Sequence, residues 1–341
     1  MRKVFLNAST FSVLVAELRI SGIFTSTIGS FTLEDTEASR KRCIDDLLAL
    51  GLDYPSYPQL SEMGPQFLND LTKHGSGVKQ EKNRYIINGK KIEYDGPPLG
   101  LEPFFWTTKY LNKKGLTSNI RLKAPITGPF TLASFIVTKP GTFPYNTAVS
   151  EMNLVNQIAE ILSESCEAAS ENASMISIDE PILSVLVGAK TAFGYRDEDI
   201  IGMYNSLRKA CGERVVGSHI CGRISPKLSD ILLRTELDFI SHEFFDTPQN
   251  ITLYSPEKLR ENEKVLSVGC LSTKNPRIET PQEILKLMKQ FSENKEALIF
   301  TPDCGFKKLL RNNMDTEEAY RISLSKLRNM VAALKNFKAS D

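Results

Sequence analysis

The chain is short of the features that mark most specialised protein classes. It has one tryptophan, Trp106, and three histidines, His74, His219 and His242. No run reaches the roughly 18 uncharged apolar residues of a membrane span. The apolar stretch from Val4 to Phe24 is interrupted by Glu17 and Arg19 and has no clear small-residue cleavage site, which argues against a secretory signal. Neither sign of charge dominates: 42 Lys and Arg stand against 41 Asp and Glu, net +1. That leaves no electrostatic footprint for nucleic acid or an anionic membrane. No G-x-G-x-x-G follows an early strand, so a dinucleotide-binding fold lacks its phosphate loop. The six cysteines (Cys43, Cys166, Cys211, Cys221, Cys270, Cys304) are scattered, without C-x-x-C pairs. This spacing suits reduced thiols in a cytoplasm better than a disulfide framework or a closed structural zinc site.

What the chain does have is a globular composition and a rhythm. Over 341 residues, 41% are hydrophobic and 24% charged, a length that allows one large domain or two medium ones. Short apolar, β-branched runs alternate with amphipathic stretches of helical period. Strands are predicted at Phe24–Ile28, near Leu52–Tyr57, and at Ile120–Ile126, Met175–Ile178, Val215–Cys221, Leu237–Glu243, Val265–Cys270 and Ala297–Thr301. Helices are predicted at Glu34–Leu50 (with Gly51 as C-cap), Met63–Thr72, Ser150–Asn172, Asp197–Cys211, Pro226–Arg234, Pro281–Phe291 and Thr316–Phe337. Eight strands with helical crossovers give the fold class: α/β, a (β/α)8 TIM barrel, preferred over an open doubly wound sheet. Residues 1–341 read as a single catalytic barrel domain, with 1–20 as an N-terminal extension. Arg84 to Asp95 alternates around Asn88-Gly89, predicting a β-hairpin inserted near residues 84–96, as a lid or docking surface.

In such a barrel the chemistry sits at the C-terminal strand ends. His219 and Cys221, two apart on one strand, share a face. An imidazole and a thiol converging on one spot form a borderline-soft pair of the kind zinc occupies. Neighbouring strand ends offer Asp179 and Glu180, His242 and Glu243, and Asp303 and Cys304. The chosen set for one zinc ion is His219, Cys221, Glu243 and Cys304. His242 is the alternative to Glu243, and alternation lets only one of the two face the mouth. Cys270 reads as a small buried hydrophobe and His74 as a surface residue.

The order His219-x-Cys221, Glu243, then Cys304 in a Pro302-Asp303-Cys304-Gly305 turn resembles the zinc site of cobalamin-independent methionine synthases. The resemblance covers most of the chain as the catalytic C-terminal half of that family, on the barrel shared with uroporphyrinogen decarboxylase-like proteins. Thr27-Ile28-Gly29-Ser30-Phe31 resembles the first-strand motif that holds the homocysteine carboxylate. Ile178-Asp179-Glu180-Pro181 resembles the fourth-strand motif whose aspartate receives the substrate ammonium. Gln59 falls where the family has a glutamate for that ammonium, with Glu62 a turn later. The resemblance therefore implies a zinc-dependent methyltransferase of methionine biosynthesis. It places the metal on His219, Cys221, Glu243 and Cys304, catalytic roles on Glu243 and Asp179, and substrate contacts on Ile28, Gly29, Ser30, Gln59, Glu62 and Asp179. Glu243 would be the displaceable ligand, a harder donor than a thiolate.

Three departures bear on the methyl donor. The full-length enzymes carry a second, N-terminal barrel for which this chain has no room. The tryptophan on which the folate stacks falls near Phe135. The histidine thought to protonate the departing folate nitrogen falls at Leu271, in Gly269-Cys270-Leu271-Ser272. A corrinoid leaving group needs no proton, so a methylcorrinoid, presented by a corrinoid protein, is expected as donor ahead of methyl-tetrahydrofolate. Homocysteine is the expected acceptor; another small thiol, coenzyme M, is the rival, and Asp179 favours the amino acid. Two other readings stand beside the enzyme: a non-catalytic zinc-containing partner of a corrinoid protein, and a metal-free uroporphyrinogen decarboxylase-like barrel. The second leaves His219, Cys221 and Cys304 on three strand ends without a reason.

Overall fold

The computed structural model describes residues 20–339 apart from residue 295. The extension expected at 1–20 therefore lies, except for Ile20, outside the described residues. Strand β1 (Gly22–Thr25) leads to helix α1 (Glu37–Ala49) and then α2 (Met63–His74). Four short strands follow, β2 (Gly75–Ser76), β3 (Val78–Glu81), β4 (Arg84–Ile87) and β5 (Glu93–Tyr94), before α3 (Glu102–Lys113). Next come β6 (Lys123–Thr127), α4 (Pro129–Phe135), β7 (Ile136–Val137), α5 (Met152–Ser170), β8 (Met175–Asp179) and the short α6 (Leu183–Leu186). The regular half runs α7 (Asp197–Ala210), β9 (Val215–Ile220), α8 (Pro226–Leu233), β10 (Phe239–Glu243), α9 (Pro256–Glu261), β11 (Val265–Gly269), α10 (Pro281–Met288), β12 (Ala297–Thr301) and α11 (Thr316–Lys338).

Seven of these strands form one curled parallel sheet in the order β1-β12-β11-β10-β9-β8-β6. Residues 54–59 lie between β6 and β1 and close the ring. They touch it through the parallel bridges Ser26–Tyr54, Ser30–Gln59 and Ser56–Lys123. Two prolines, Pro55 and Pro58, remove backbone donors from this segment, so it pairs in single bridges instead of a ladder. The second predicted strand thus occupies its place in the barrel without being a regular strand.

The inserted hairpin is not where Asn88-Gly89 put it. β3 and β4 pair antiparallel through a turn at Lys82-Asn83, with Lys82 at φ 54°. β5 returns to pair with β2, and β4 also runs parallel to β7. The reason lies upstream of the predicted range. Val78 to Glu81 supplies an alternating partner for Arg84 to Ile87, and the opposite charges of Glu81 and Arg84 stand across the turn.

Alternation along the barrel strands sorts the side chains. Tyr54, Met175, Phe239, Val265, Ala297 and Ile299 form a compact apolar plug with Ile20. The outward residues join the helices in the main core, among them Ile176, Ile178, Ile220, Ile240, Leu266, Val268, Leu298 and Phe300. Above the plug the buried strand residues turn polar: Lys123, Ser177, Asp179, His219, Ser241 and Glu243. The barrel is therefore filled at one end and polar at the other, where strands end and loops begin. Among the described residues no helix is long and apolar enough to cross a membrane.

Candidate metal centre

His219 sits at the fifth position of β9, and its register partner on β10 is Ser241. The imidazole Nδ1 lies 3.2 Å from Ser241 Oγ, which leaves Nε2 facing Cys221 Sγ at 3.0 Å. Cys221 Sγ is in turn 2.7 Å from Cys304 Sγ, just beyond the end of β12. The ligand atoms of His219, Cys221 and Cys304 all lie within 4.8 Å of one another. One imidazole nitrogen and two sulfurs converging in this way fit a zinc ion in donor chemistry and in closeness. Of the two sulfurs, that of Cys304 is the more acidic. Its hydrogen bond from the Cys221 thiol holds it well below the ordinary thiol range against burial, helped by His219 and Lys308.

Glu243 stands outside that group. Its carboxylate accepts from Lys274 Nζ at 2.7 Å, from Thr247 Oγ1 at 3.2 Å and from Lys308 Nζ at 3.4 Å. Burial works to raise its pKa, but the Lys274 hydrogen bond and the charge of Lys308 prevail and hold it below the usual value. His242 faces the other way, as alternation requires: its Nε2 is 2.8 Å from Tyr254 Oη and its ring stacks on Tyr254. Burial pushes its pKa down to about 3, so it is a neutral part of the packing.

Asp179, at the end of β8, is buried, and its Oδ1 accepts from Ser177 Oγ and from the backbone N–H of His219 at 3.3 Å. Burial raises its pKa, against the charges of Lys123 and His219. Lys123 itself is fully enclosed, donates to the Thr27 carbonyl at 2.9 Å, and is lowered by burial to about 8. Glu180 is absorbed by the fold: it accepts from the backbone N–H groups of Phe130 and Thr131 and so caps α4.

The segment Ile28-Gly29-Ser30 reaches the metal group from the β1 side. The Phe306 N–H donates to the Ser30 carbonyl at 2.9 Å. A Cβ placed on Gly305, next to Cys304, would meet Ser30 Oγ at 1.8 Å, so any larger residue would have to displace the Ser30 hydroxyl. Gln59 is equally close to Gly29, whose added Cβ would lie 2.1 Å from Oε1. The Gln59 amide nitrogen donates to Tyr57 Oη at 3.1 Å. Glu62 is different: it is exposed at the start of α2, 3.5 Å from Lys307 Nζ.

Of the residues tied to the donor, Leu271 is completely buried in the core, while Phe135 is 40% exposed and packs over Gly64. Trp106 lies on α3, stacked on Tyr110. Three residues at the site had no sequence signal. Lys274 comes from a loop and Lys308 from a 3-10 helix (Phe306–Asn312), neither with a readable period, and Lys123 is a lysine inside a barrel, where the pattern reads as strand. Asp303 was one of the strand-end candidates, but its carboxylate turns away from the metal group and accepts the N–H groups of Phe244, Phe245 and Asp246.

The family described as "Cobalamin-independent synthase, Catalytic domain" matches residues 102–336. A methionine synthase of Methanothermobacter thermautotrophicus is 35% identical over 267 residues, covering 76% of this chain and 77% of the relative. One from Methanocaldococcus jannaschii is 30% identical over 277 residues, covering 75% and 78%. The solved structure of a B12-independent methionine synthase from Shewanella sp. W3-18-1, in complex with selenomethionine, superposes with a TM-score of 0.67 over 93% of this chain and 98% of that one, at 16% identity. At that identity the likeness concerns the fold, and it agrees with the barrel. The family's description gives no support to the methylcorrinoid donor or the corrinoid-protein partner expected from Leu271 and Phe135. A missing side chain identifies a contact that has been lost, and says nothing of the chemical class that took its place. The match over residues 102–336 and the archaeal relatives establish that this chain belongs to the cobalamin-independent methionine synthase family, as a methyltransferase that acts on a thiol.

Proposed function

We propose that the chain transfers a methyl group from methyl-tetrahydrofolate to the thiol of homocysteine, giving methionine, with one zinc ion held by His219, Cys221 and Cys304. The convergence of those three ligand atoms within 4.8 Å carries the reading. A bound zinc ion supplies a Lewis-acid centre that keeps a coordinating thiol deprotonated at neutral pH, the form in which sulfur is a nucleophile. Glu243 is the fourth, displaceable ligand of that ion. Ser241 fixes the imidazole so that Nε2 faces the sulfurs. Asp179 takes the substrate ammonium, and its bond to the His219 N–H ties the amino-acid pocket to the ligand strand. Ile28, Gly29 and Ser30 take the carboxylate, with Gln59 behind them and Glu62 at the rim. A buried acid at Asp179 favours an amino acid over coenzyme M, whose sulfonate has no use for it.

In the transfer the thiolate sulfur bonds to the methyl carbon, the carbon–nitrogen bond of the donor breaks, and the nitrogen keeps the electron pair and takes up a proton. Leu271 offers no proton, so that proton comes from solvent or another group at the mouth. The reading also requires Cys221 and Cys304 to stay reduced, which favours a cytoplasmic setting.

The test is to load the protein with zinc and supply homocysteine with methyl-tetrahydrofolate and, separately, with methylcobalamin, measuring methionine. Methionine from the folate is expected. No methionine from either donor at full zinc occupancy would refute the activity, and methionine from methylcobalamin alone would refute the donor.

A further inference from the structure

Two lysines approach the metal group, one from a loop and one from the 3-10 helix Phe306–Asn312, and meet on one carboxylate. Lys274, after β11, is 46% exposed and places Nζ 2.7 Å from Glu243 Oε2. Lys308, after β12, is 26% exposed and places Nζ 3.4 Å from Oε1. Thr247 Oγ1 adds a hydrogen bond at 3.2 Å. Glu243 itself is 1% exposed, so water does little to solvate it. A buried carboxylate that leaves a metal ion is uncompensated unless another cation receives it. Here two cations stand at its two oxygens, and the charge of Lys308 also acts on the sulfurs of Cys221 and Cys304.

We propose that Lys274 and Lys308 form a docking pair for the Glu243 carboxylate, holding it when the substrate thiol takes its coordination position, and so set how readily the site exchanges carboxylate for thiol. They are positioning residues that act through Glu243. This rests on the functional reading above, in which Glu243 is the displaceable ligand. The pairing competes with the metal for one carboxylate. Removing the lysines therefore strengthens the hold of Glu243 on the metal and weakens the thiol that must displace it, by the same factor, as linkage requires.

The experiment uses the full chain loaded with zinc, as wild type, Lys274→Met, Lys308→Met, the double variant, and Lys274→Arg. Zinc affinity is measured by chelator competition, homocysteine affinity by calorimetry, and the number of sulfur ligands by X-ray absorption with and without homocysteine. The double variant is expected to bind zinc roughly tenfold more tightly and homocysteine roughly tenfold more weakly, the range of a partly buried charge pair. Its X-ray absorption should show less gain of sulfur at the homocysteine concentration that half-saturates the wild type. Lys274→Arg should stay near wild type, because it keeps the charge. In a Glu243→Gln background Lys274→Met should change nothing, which a merely structural role would not give.

Unchanged affinities in the double variant, or Lys274→Met shifts that persist without Glu243, would overturn the proposal while leaving the functional reading in place. A wild type that binds zinc and gains no sulfur from homocysteine removes the functional reading and this proposal with it. Should the double variant not fold, Lys274→Gln carries the test, with a shift of about threefold in the same directions expected and none overturning it.

Discussion

Replacing Asp303 should damage the candidate metal centre without removing any of its candidate ligands. Its Oδ1 accepts from the N–H groups of Phe244 and Phe245, each at 3.1 Å, and Oδ2 accepts from Asp246 at 2.6 Å. These three donors follow Glu243 directly, and Asp303 precedes Cys304, so one side chain ties the turn after β10 to the turn after β12. Asp246 in turn accepts from Ser272 Oγ at 2.8 Å, in the loop that carries Lys274. Asp303→Asn can keep the two bonds to one oxygen, but it sets an amide NH₂ against the Asp246 N–H. One buried donor is left unsatisfied, a cost of about 1–3 kcal/mol. Asp303→Ala strands all three, about 3–9 kcal/mol if their costs add. Against a total stability of about 5–15 kcal/mol, the alanine variant should be close to unfolding. Urea denaturation of metal-free protein reads both values from the midpoint at constant slope, and chelator competition reads the accompanying loss of zinc affinity. An asparagine variant within about 0.5 kcal/mol of wild type, inside the ordinary scatter for surface changes, would refute the role given to this carboxylate.

In metal-free protein, iodoacetamide should modify Cys221 and Cys304 and spare the other four thiols. Cys43, Cys166, Cys211 and Cys270 are fully buried, and zinc should protect the reactive pair; mass mapping of the adducts checks this. Glu243→Gln should cost about 1–2 kcal/mol at neutral pH through the lost charge on the Lys274 and Lys308 hydrogen bonds, discounted for the exposure of both lysines. Because the folded-state pKa of Glu243 is depressed, the unfolded chain binds more protons, so this contribution is present above the ordinary glutamate value and lost as pH falls through the folded one. Denaturation curves of both proteins between pH 3 and 7 should therefore converge at the acid end. Lys326→Ala should destabilise by about 3–5 kcal/mol, since it leaves Glu279, 2.7 Å away and 2% exposed, as an unpaired buried charge. Combining Lys326→Met with Glu279→Leu should recover most of that loss, as thermal melts would show.

Most of the framework was legible in the sequence because it is periodic. The helices at 37–49, 152–170, 197–210 and 316–338 lie within a few residues of their expected bounds, and Gly51, at φ 72°, ends the first of them as a C-cap glycine should. Places where chain chemistry overrides period were not legible. Pro55 and Pro58 reduce an expected strand to isolated bridges. Asn88-Gly89 carries the stronger turn signature, yet the hairpin turns at Lys82-Asn83, because a turn dipeptide cannot form a hairpin unless both flanking segments find partners. Lys123 is a lysine in a strand that faces the barrel interior, where its amine finds the Thr27 carbonyl. Pattern alone places such a residue at an edge.

The site divides along the same line. His219 and Ser241 meet because parallel strands in register put both on the inner face, and the same alternation turns His242 out to Tyr254 and Glu243 in. A period of two therefore suffices to choose Glu243 over His242 and to bring His219 beside Cys221. It does not say what surrounds Glu243, because Lys274 sits on a loop and Lys308 on a short 3-10 helix, both placed by packing far along the chain. Lys274 owes its place to Ser272, whose N–H is held by Glu279, itself held by Lys326 on the last helix. The candidate ligands are thus placed by local periodicity and their electrostatic setting by tertiary contacts. Within one family the ligand pattern can stay readable in a sequence while the readiness of the site to exchange a ligand is tuned by residues that no motif contains.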